Sequence, residues 1–129
     1  MKILHLSTYD TAGGAARAAY RLHNGLLEEN LDSMMLVQDK LIDDDSILGP
    51  SGSFSKFSAR YLCPRIDALP SRIYPGREAT PFHAQWIPGN VHRKINTIAP
   101  DIVHIHWIND GMISIEELSA INKIGRAHV

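Results

Sequence analysis

The order of three segments near the start of the chain constrains its fold more than any other feature. Residues 2–7 (KILHLS) and 33–38 (SMMLVQ) are short apolar runs bounded by turn formers, which predicts two buried strands. Between them, the chain from about Gly14 to Glu29 follows the period of an amphipathic helix, and Asn30 ends it. The apolar stripe of this helix comprises Ala15, Ala19, Leu22 and Leu26. Because strand–helix–strand units with short joints place their strands in parallel, we expect a parallel α/β sheet.

Helix and strand patterns return in the second half of the chain. Residues 90–99 (NVHRKINTIA) have helical periodicity, and residues 100–108 (PDIVHIHWI) predict a further strand. Ser114 stands three residues before Glu117, the spacing of a capping box, and predicts the start of a last helix. The apolar stripes of the two helices are Val91, Ile95 and Ile98, and Ile115, Leu118 and Ile121. Residues 39–53 are acidic and rich in turn formers, which predicts an exposed loop.

Composition and charge limit the class of protein. The 129 residues are 44% hydrophobic and 21% charged, which is typical of one soluble globular domain. The formal net charge of −1 gives no overall attraction to nucleic acid or to a membrane. The single cysteine, Cys63, excludes an internal disulfide framework. With neither a signal-peptide pattern nor an apolar run of membrane-spanning length, we expect a cytoplasmic protein.

A glycine pair, Gly13 and Gly14, separates the first predicted strand from the first helix. In parallel sheets, ligands bind beyond the carboxyl ends of the strands, where the free N–H groups of a helix N-terminus attract phosphate. Glycines there let a phosphate approach the backbone, but glycine pairs are equally common in plain turns, so both interpretations stay open. The spacing is not G-x-G-x-x-G, which argues against a dinucleotide-dependent reductase. Asp39 follows the second strand, where a dinucleotide-binding fold has its ribose-binding acid, but without the glycine pattern it is weak support for such a fold.

The segment HIHW places His104 and His106 on one face of a predicted strand, because side chains alternate along a strand. Two such histidines can bind a metal ion, but no third ligand of recognised spacing is near. We therefore favour core histidines and expect no metal. His106 and Trp107 stand at the carboxyl end of this strand, with Asn109 in the loop that follows. If this strand lies parallel to the first, they face the same crevice as the glycine pair.

Residues 54–78 mix aromatic and cationic side chains and are broken by prolines. Helical spacing relates Phe54, Phe57 and Tyr61, with Lys56 and Arg60 beside them. Such a face can lie on an anionic membrane or hold an anionic acceptor. A small amphipathic helix packed on the sheet is the alternative that we favour.

The end of the chain departs from the α/β pattern, because no strand follows the last predicted helix. The closing residues 124–129 (IGRAHV) also match one reading frame of a widely used sequencing adapter. We therefore expect a non-native tail at 124–129, a native sequence that stops near Lys123, and a domain, residues 1–123, that is truncated.

Three segments in this order, MKILHLSTYDTAGGAARAAYRLHNGL, PDIVHIHWINDG and SIEEL, resemble the N-terminal half of a family 4 glycosyltransferase. The resemblance covers most of residues 1–123 and is strongest in residues 1–30 and 99–118. It implies a Rossmann-like parallel sheet flanked by helices, which forms the acceptor-side half of a GT-B fold.

The resemblance also implies an activity, namely transfer of a hexosyl-type sugar, with retention, from a nucleotide-sugar to a saccharide or lipid-linked acceptor in bacterial surface polysaccharide biosynthesis. No metal or other cofactor is implied. Gly13, Gly14 and Ala15 are implied to approach the donor diphosphate, and His106, Trp107 and Asn109 to line the acceptor cleft. The catalytic groups are expected beyond Lys123, in a histidine after the next strand and in a C-terminal domain. Residues 1–129 alone are therefore expected to be inactive.

Two further partners or functions remain open at this point. Contact with the inner face of the membrane would use Phe54, Lys56, Phe57 and Arg60. The alternative to an enzyme is a non-catalytic nucleotide-binding or flavodoxin-like α/β module, which a complete five-stranded sheet without a second domain would favour.

Overall fold

A computed structural model of the chain describes residues 1–73, 76 and 84–121. In these ranges four parallel strands form one sheet in the order β3-β2-β1-β4. The strands are β1 (Lys2–Tyr9), β2 (Asp32–Asp39), β3 (Ile47–Leu48) and β4 (Ile102–Ile105). The predicted parallel α/β class is thereby confirmed. From β1 the chain adds β2 and β3 on one side of the sheet and then crosses to add β4 on the other side, so the strand order reverses at β1.

Helix α1 (Gly14–Glu28) connects β1 to β2, as predicted, and Asn30 follows it with a left-handed φ of 58°. The face that α1 buries differs from the predicted stripe. Ala16, Ala19 and His23 are buried, while Leu22 is 41% exposed. Two alanines let the helix approach the sheet closely, and the ring nitrogens of His23 are hydrogen-bonded to the hydroxyls of Ser33 (2.8 Å) and Ser46 (2.9 Å). A histidine with both nitrogens satisfied can take a core position that apolar periodicity assigns to leucine.

The opposite face of the sheet packs against α5 (Val91–Ile98) and α6 (Ile115–Ser119), and together they form the larger core. Its buried members are Leu4, Leu6, Leu36, Ile95, Val103, Met112, Ile113 and Ile121. The capping box at Ser114 and Glu117 is confirmed in both of its hydrogen bonds. The predicted stripe of α6 is wrong at Ile115, which is 66% exposed, because the cap orients this short helix with Leu118 and Ile121 towards the core.

The segment predicted as a loop, residues 39–53, contains the short strand β3. Ile47 lies opposite Met35 of β2 and is buried, so the sheet extends by one strand into this segment. A helical stretch follows, made of α2 (Ser53–Phe57), a π-helical turn (Ser58–Leu62), α3 (Cys63–Asp67) and α4 (Leu69–Ile73).

Two predicted features fall outside the described residues: part of the segment 54–78, at 74–75 and 77–78, and the tail at 124–129. Within the described ranges, no helix combines the length and apolar character needed to cross a bilayer.

Candidate functional site

The carboxyl ends of β1 and β4 border a small crevice at the point where the strand order reverses. The crevice has a volume of about 300 Å³. It is lined by Ser7, Tyr9, Ala12, Gly13, Gly14, Ala15, Ala16 and Trp107. The glycine pair, Ala15 and Trp107 therefore come together from segments that are distant in the sequence. Crevices beyond the strand ends at such a reversal are the usual ligand sites of open parallel sheets.

The N-terminus of α1 forms the floor of this crevice. Gly13 precedes the helix with a φ of 95°, and no side chain caps the helix end. The first-turn N–H groups of a helix have no partner within the helix, and the first turn of α1 contains no acidic residue. A Cβ atom added to Gly14 would meet no other atom within 4 Å. The crevice therefore offers unblocked backbone donors and a positive dipole end to an anion.

The loop after β4 is fixed to the end of β1 by Thr8. The Thr8 backbone N–H donates to the Trp107 carbonyl at 2.6 Å, and the Thr8 hydroxyl donates to the carbonyls of Trp107 (3.0 Å) and Asn109 (2.9 Å). These bonds hold the Trp107 side chain at the crevice while leaving it 49% exposed. Hydrogen bonds from Thr8 to the backbone carbonyls of the loop thus fix the position of Trp107 at the crevice.

A tyrosine adds a second tie between the two loops. The Tyr9 hydroxyl donates to Oδ2 of Asp110 at 2.9 Å. Burial, and then this hydrogen bond to a carboxylate, raise the pKa of Tyr9 to about 12. Tyr9 is therefore a neutral donor at physiological pH and does not place a phenolate in the crevice.

Asp10 is a buried residue of the site that the sequence patterns did not single out. Its Oδ2 accepts from the N–H groups of Leu41 (2.6 Å) and Ile42 (2.7 Å), and its Oδ1 accepts from the N–H of Thr11 (2.7 Å). The carboxylate joins the loop after β1 to the loop after β2. The available signal was a lone aspartate directly after a strand, which is also the pattern of an ordinary turn.

His106 and Asn109 do not line this crevice. Oδ1 of Asn109 accepts from Nε2 of Gln85 at 3.0 Å. The imidazole of His106 lies on the α1 side of the sheet, with its Nε2 3.0 Å from Nδ1 of His5. Whether His106 or Asn109 contacts an acceptor therefore stays a prediction.

A third histidine joins the predicted pair, because β1 and β4 are neighbours in the sheet. His5 lies opposite His104 in the strand register, and one ring nitrogen from each of His5, His104 and His106 lies within 4.8 Å of the others. Sequence spacing along one strand could not reveal a ligand contributed by another. These three residues are called the histidine cluster below.

Asp39, the last residue of β2, and the aromatic segment that follows it are not part of the crevice lining. Oδ2 of Asp39 is 3.4 Å from Nε of Arg60, whose guanidinium lies 5.9 Å from the centre of the Tyr61 ring. Phe54 and Phe57 are 79% and 52% exposed. Most of residues 54–73 are helical, but the rings of Phe54 and Phe57 point towards solvent instead of packing on the sheet.

Comparison of the chain with protein-family models, with curated proteins and with solved structures finds no match. Function is therefore inferred from the residues of the crevice and from the strand order that produces it. Among the described residues, the side chains considered for binding or chemistry below are those of the crevice lining and of the histidine cluster.

Proposed function

We propose that the chain is the acceptor-side domain of a retaining glycosyltransferase of family 4, and that its crevice faces the diphosphate of a nucleotide-sugar. One observation is central: the glycine loop after β1 and Trp107 after β4 line the same crevice. The strand order β3-β2-β1-β4 agrees with the first half of a Rossmann-like, doubly wound sheet, in which nucleotides bind at this reversal. Both features support the resemblance in sequence.

The chemistry of sugar transfer explains why glycine stands at position 14. Negative charge builds up on the diphosphate as it leaves the sugar, and fixed N–H donors stabilise that charge without having to reorganise. The absence of a side chain at Gly14 lets the phosphate oxygens reach the first-turn N–H groups of α1. The partly exposed indole of Trp107 supplies an apolar wall for a sugar ring beside them.

The remaining parts of the proposed enzyme belong to residues beyond Lys123. They comprise the catalytic histidine, the acidic motif that holds the donor sugar and the groups that bind the nucleotide. The acceptor is a saccharide or a lipid-linked saccharide, the reaction takes place in the cytoplasm, and its product contributes to a surface polysaccharide.

The experiment uses the protein encoded by the whole gene and compares Gly14→Leu with Gly25→Leu. Both glycines lie in α1, and a Cβ atom at either meets nothing within 4 Å, but only Gly14 lines the crevice. With a panel of nucleotide-sugars and saccharide acceptors, we expect Gly14→Leu to lower kcat/KM by about 10²-fold or more, the usual effect of losing one preorganised oxyanion donor. Gly25→Leu should retain the activity of the parent.

Three other results would count against parts of the proposal. Equal activity of both variants would remove the crevice from the mechanism. Binding of a nucleoside diphosphate without sugar transfer, abolished by Gly14→Leu, would favour the non-catalytic nucleotide-binding module. Sugar transfer by residues 1–129 alone would show that the catalytic groups lie within this chain.

A further inference from the structure

The histidine cluster lies on the α1 side of the sheet, next to the crevice but separate from its lining. The ring centres of His104 and His106 are 4.2 Å apart, and that of His5 lies 5.4 Å and 5.3 Å from them. His5 is fully buried, whereas His104 and His106 are partly exposed. The cluster therefore has a buried base and a side that solvent reaches.

The spacing of the ring nitrogens is close to that of a bound transition metal. Tetrahedral Zn²⁺ with Zn–N bonds of about 2.0–2.1 Å places its ligand nitrogens about 3.3 Å apart. Nδ1 of His5 and Nε2 of His106 are 3.0 Å apart, and one ring nitrogen from each of the three histidines lies within 4.8 Å of the other two.

The protonation state of the cluster also suits a metal ion. Burial, followed by the neighbouring histidines, lowers the pKa of His5 to about 3, and burial and His104 lower the pKa of His106 to about 4. Both rings are thus neutral at physiological pH, the form in which imidazole binds metal. The contact of His5 with His106 is made through Nδ1, while its Nε2 is buried and has no hydrogen-bond partner.

We propose that His5, His104 and His106 form a binding site for one divalent transition-metal ion of the zinc type. Three imidazoles suit Zn²⁺, Co²⁺, Ni²⁺ or Cu²⁺ better than the oxygen-seeking Mg²⁺ and Ca²⁺. The ion would join β1 to β4, which is an edge strand of the described sheet. It would also hold His106, the residue between the end of β4 and Trp107. Its effect would be to fix the strand that leads into the crevice wall. This inference does not depend on the proposed sugar transfer.

The experiment titrates the full chain with Zn²⁺ by calorimetry, and with Co²⁺ by its visible absorption, after treatment with a chelator. We expect one ion per chain, a raised Tm with metal, and the intense spectrum of tetrahedral Co²⁺. His104→Gln and His106→Gln should each weaken binding by more than about 10-fold, the smallest loss usual for even an outer-shell partner of a metal. Both residues are partly exposed, and circular dichroism of the metal-free variants checks that they fold.

The controls are histidines outside the cluster. His92→Gln removes a partly buried histidine that contacts Glu117, and the double change His83→Gln and His128→Gln removes the two outside the described residues. These variants should bind Zn²⁺ as tightly as the parent. The proposal is overturned if the parent binds no ion, if the cluster variants bind as tightly as the parent, or if a control variant loses binding to the same extent.

Discussion

At the scale of single residues, Gly13 and Asp10 shape the chain where it enters α1. Gly13 adopts a φ of 95°, a region that other residues rarely occupy, and so permits the turn into α1. Asp10, buried beside it, accepts backbone hydrogen bonds from two different loops. The first residue sets the shape of the helix entry and the second holds that entry in place. Neither needs to touch a ligand to matter for the site.

Asp10 gives the first prediction about stability. Asp10→Ala removes a fully buried acceptor of the Leu41 and Ile42 N–H groups, so we expect the free energy of unfolding to fall by about 2–3 kcal/mol, as for a hydrogen bond to a charged group. Asp10→Asn keeps one oxygen acceptor and should lose less. Urea denaturation measures both, with Asp43→Ala, an exposed acid of the same loop, as the control. Equal stability of Asp10→Ala and Asp43→Ala would show that these bonds are dispensable.

At the scale of elements, the helical stretch from α2 to α4 presents an unusual surface. Its large apolar side chains that are more than one third exposed are Phe54, Phe57, Tyr61, Leu62, Ile66, Leu69 and Ile73. The stretch is nevertheless attached to the sheet, because Nε2 of Gln38 donates to the Ala59 carbonyl at 2.8 Å. The aromatic side chains are therefore available to another surface.

The membrane contact that the sequence left open can be tested on this element. We predict that the chain sediments with vesicles containing anionic lipid, and that the double change Phe54→Ser and Phe57→Ser reduces the bound fraction several-fold, because inserted aromatic rings and nearby cations contribute together. Ile115→Ser is the matched control, since Ile115 is equally exposed but lies on α6. Loss of binding in the control alone, or no binding by the parent, would refute the contact.

At the scale of the whole molecule, the sheet brings together histidines from separate segments. His5 and His23 belong to the first strand and helix, whereas His104 belongs to β4 and His106 directly follows it. The ring centres of His5 and His23 are 6.0 Å apart, and burial lowers the pKa of His23 as well as those of His5 and His106. These groups make stability depend on pH.

The direction of that dependence follows from linkage. Below the ordinary histidine pKa of about 6.5, the unfolded chain binds protons that the folded chain, with its lowered pKa values, does not. The stabilising contribution is therefore complete above that pKa and is lost as the pH falls towards about 4. We predict that the metal-free chain, in chelator, becomes progressively less stable from pH 7 to pH 4.5.

A variant separates this effect from that of the carboxylates. His106→Gln removes one of the rings whose pKa is lowered, so its stability should fall less steeply over the same pH range than that of the parent. Denaturant unfolding at each pH provides the free energies. A parent curve that is flat between pH 7 and pH 5 would contradict the lowered pKa values.

The sequence by itself determined the local elements, because their signals are local. Apolar runs and helical periodicity located β1, α1, β2, α5 and β4, and the spacing of Ser114 and Glu117 located the cap of α6. Parallel pairing also followed, since a strand–helix–strand unit with short joints permits little else. The glycine pair and Trp107 were expected to share a crevice on the same reasoning.

Only the tertiary structure decided what depends on register and on long-range contacts. Three features join residues that no local pattern relates. His23 is buried against Ser33, Asp10 accepts from the distant N–H of Leu41, and β3 pairs with β2. The histidine cluster is the clearest case, because one residue of shift between β1 and β4 would turn His5 to the opposite face of the sheet from its partners. Periodicity assigns a side chain to a face, but the choice of neighbouring strand and its register decide which side chains meet there.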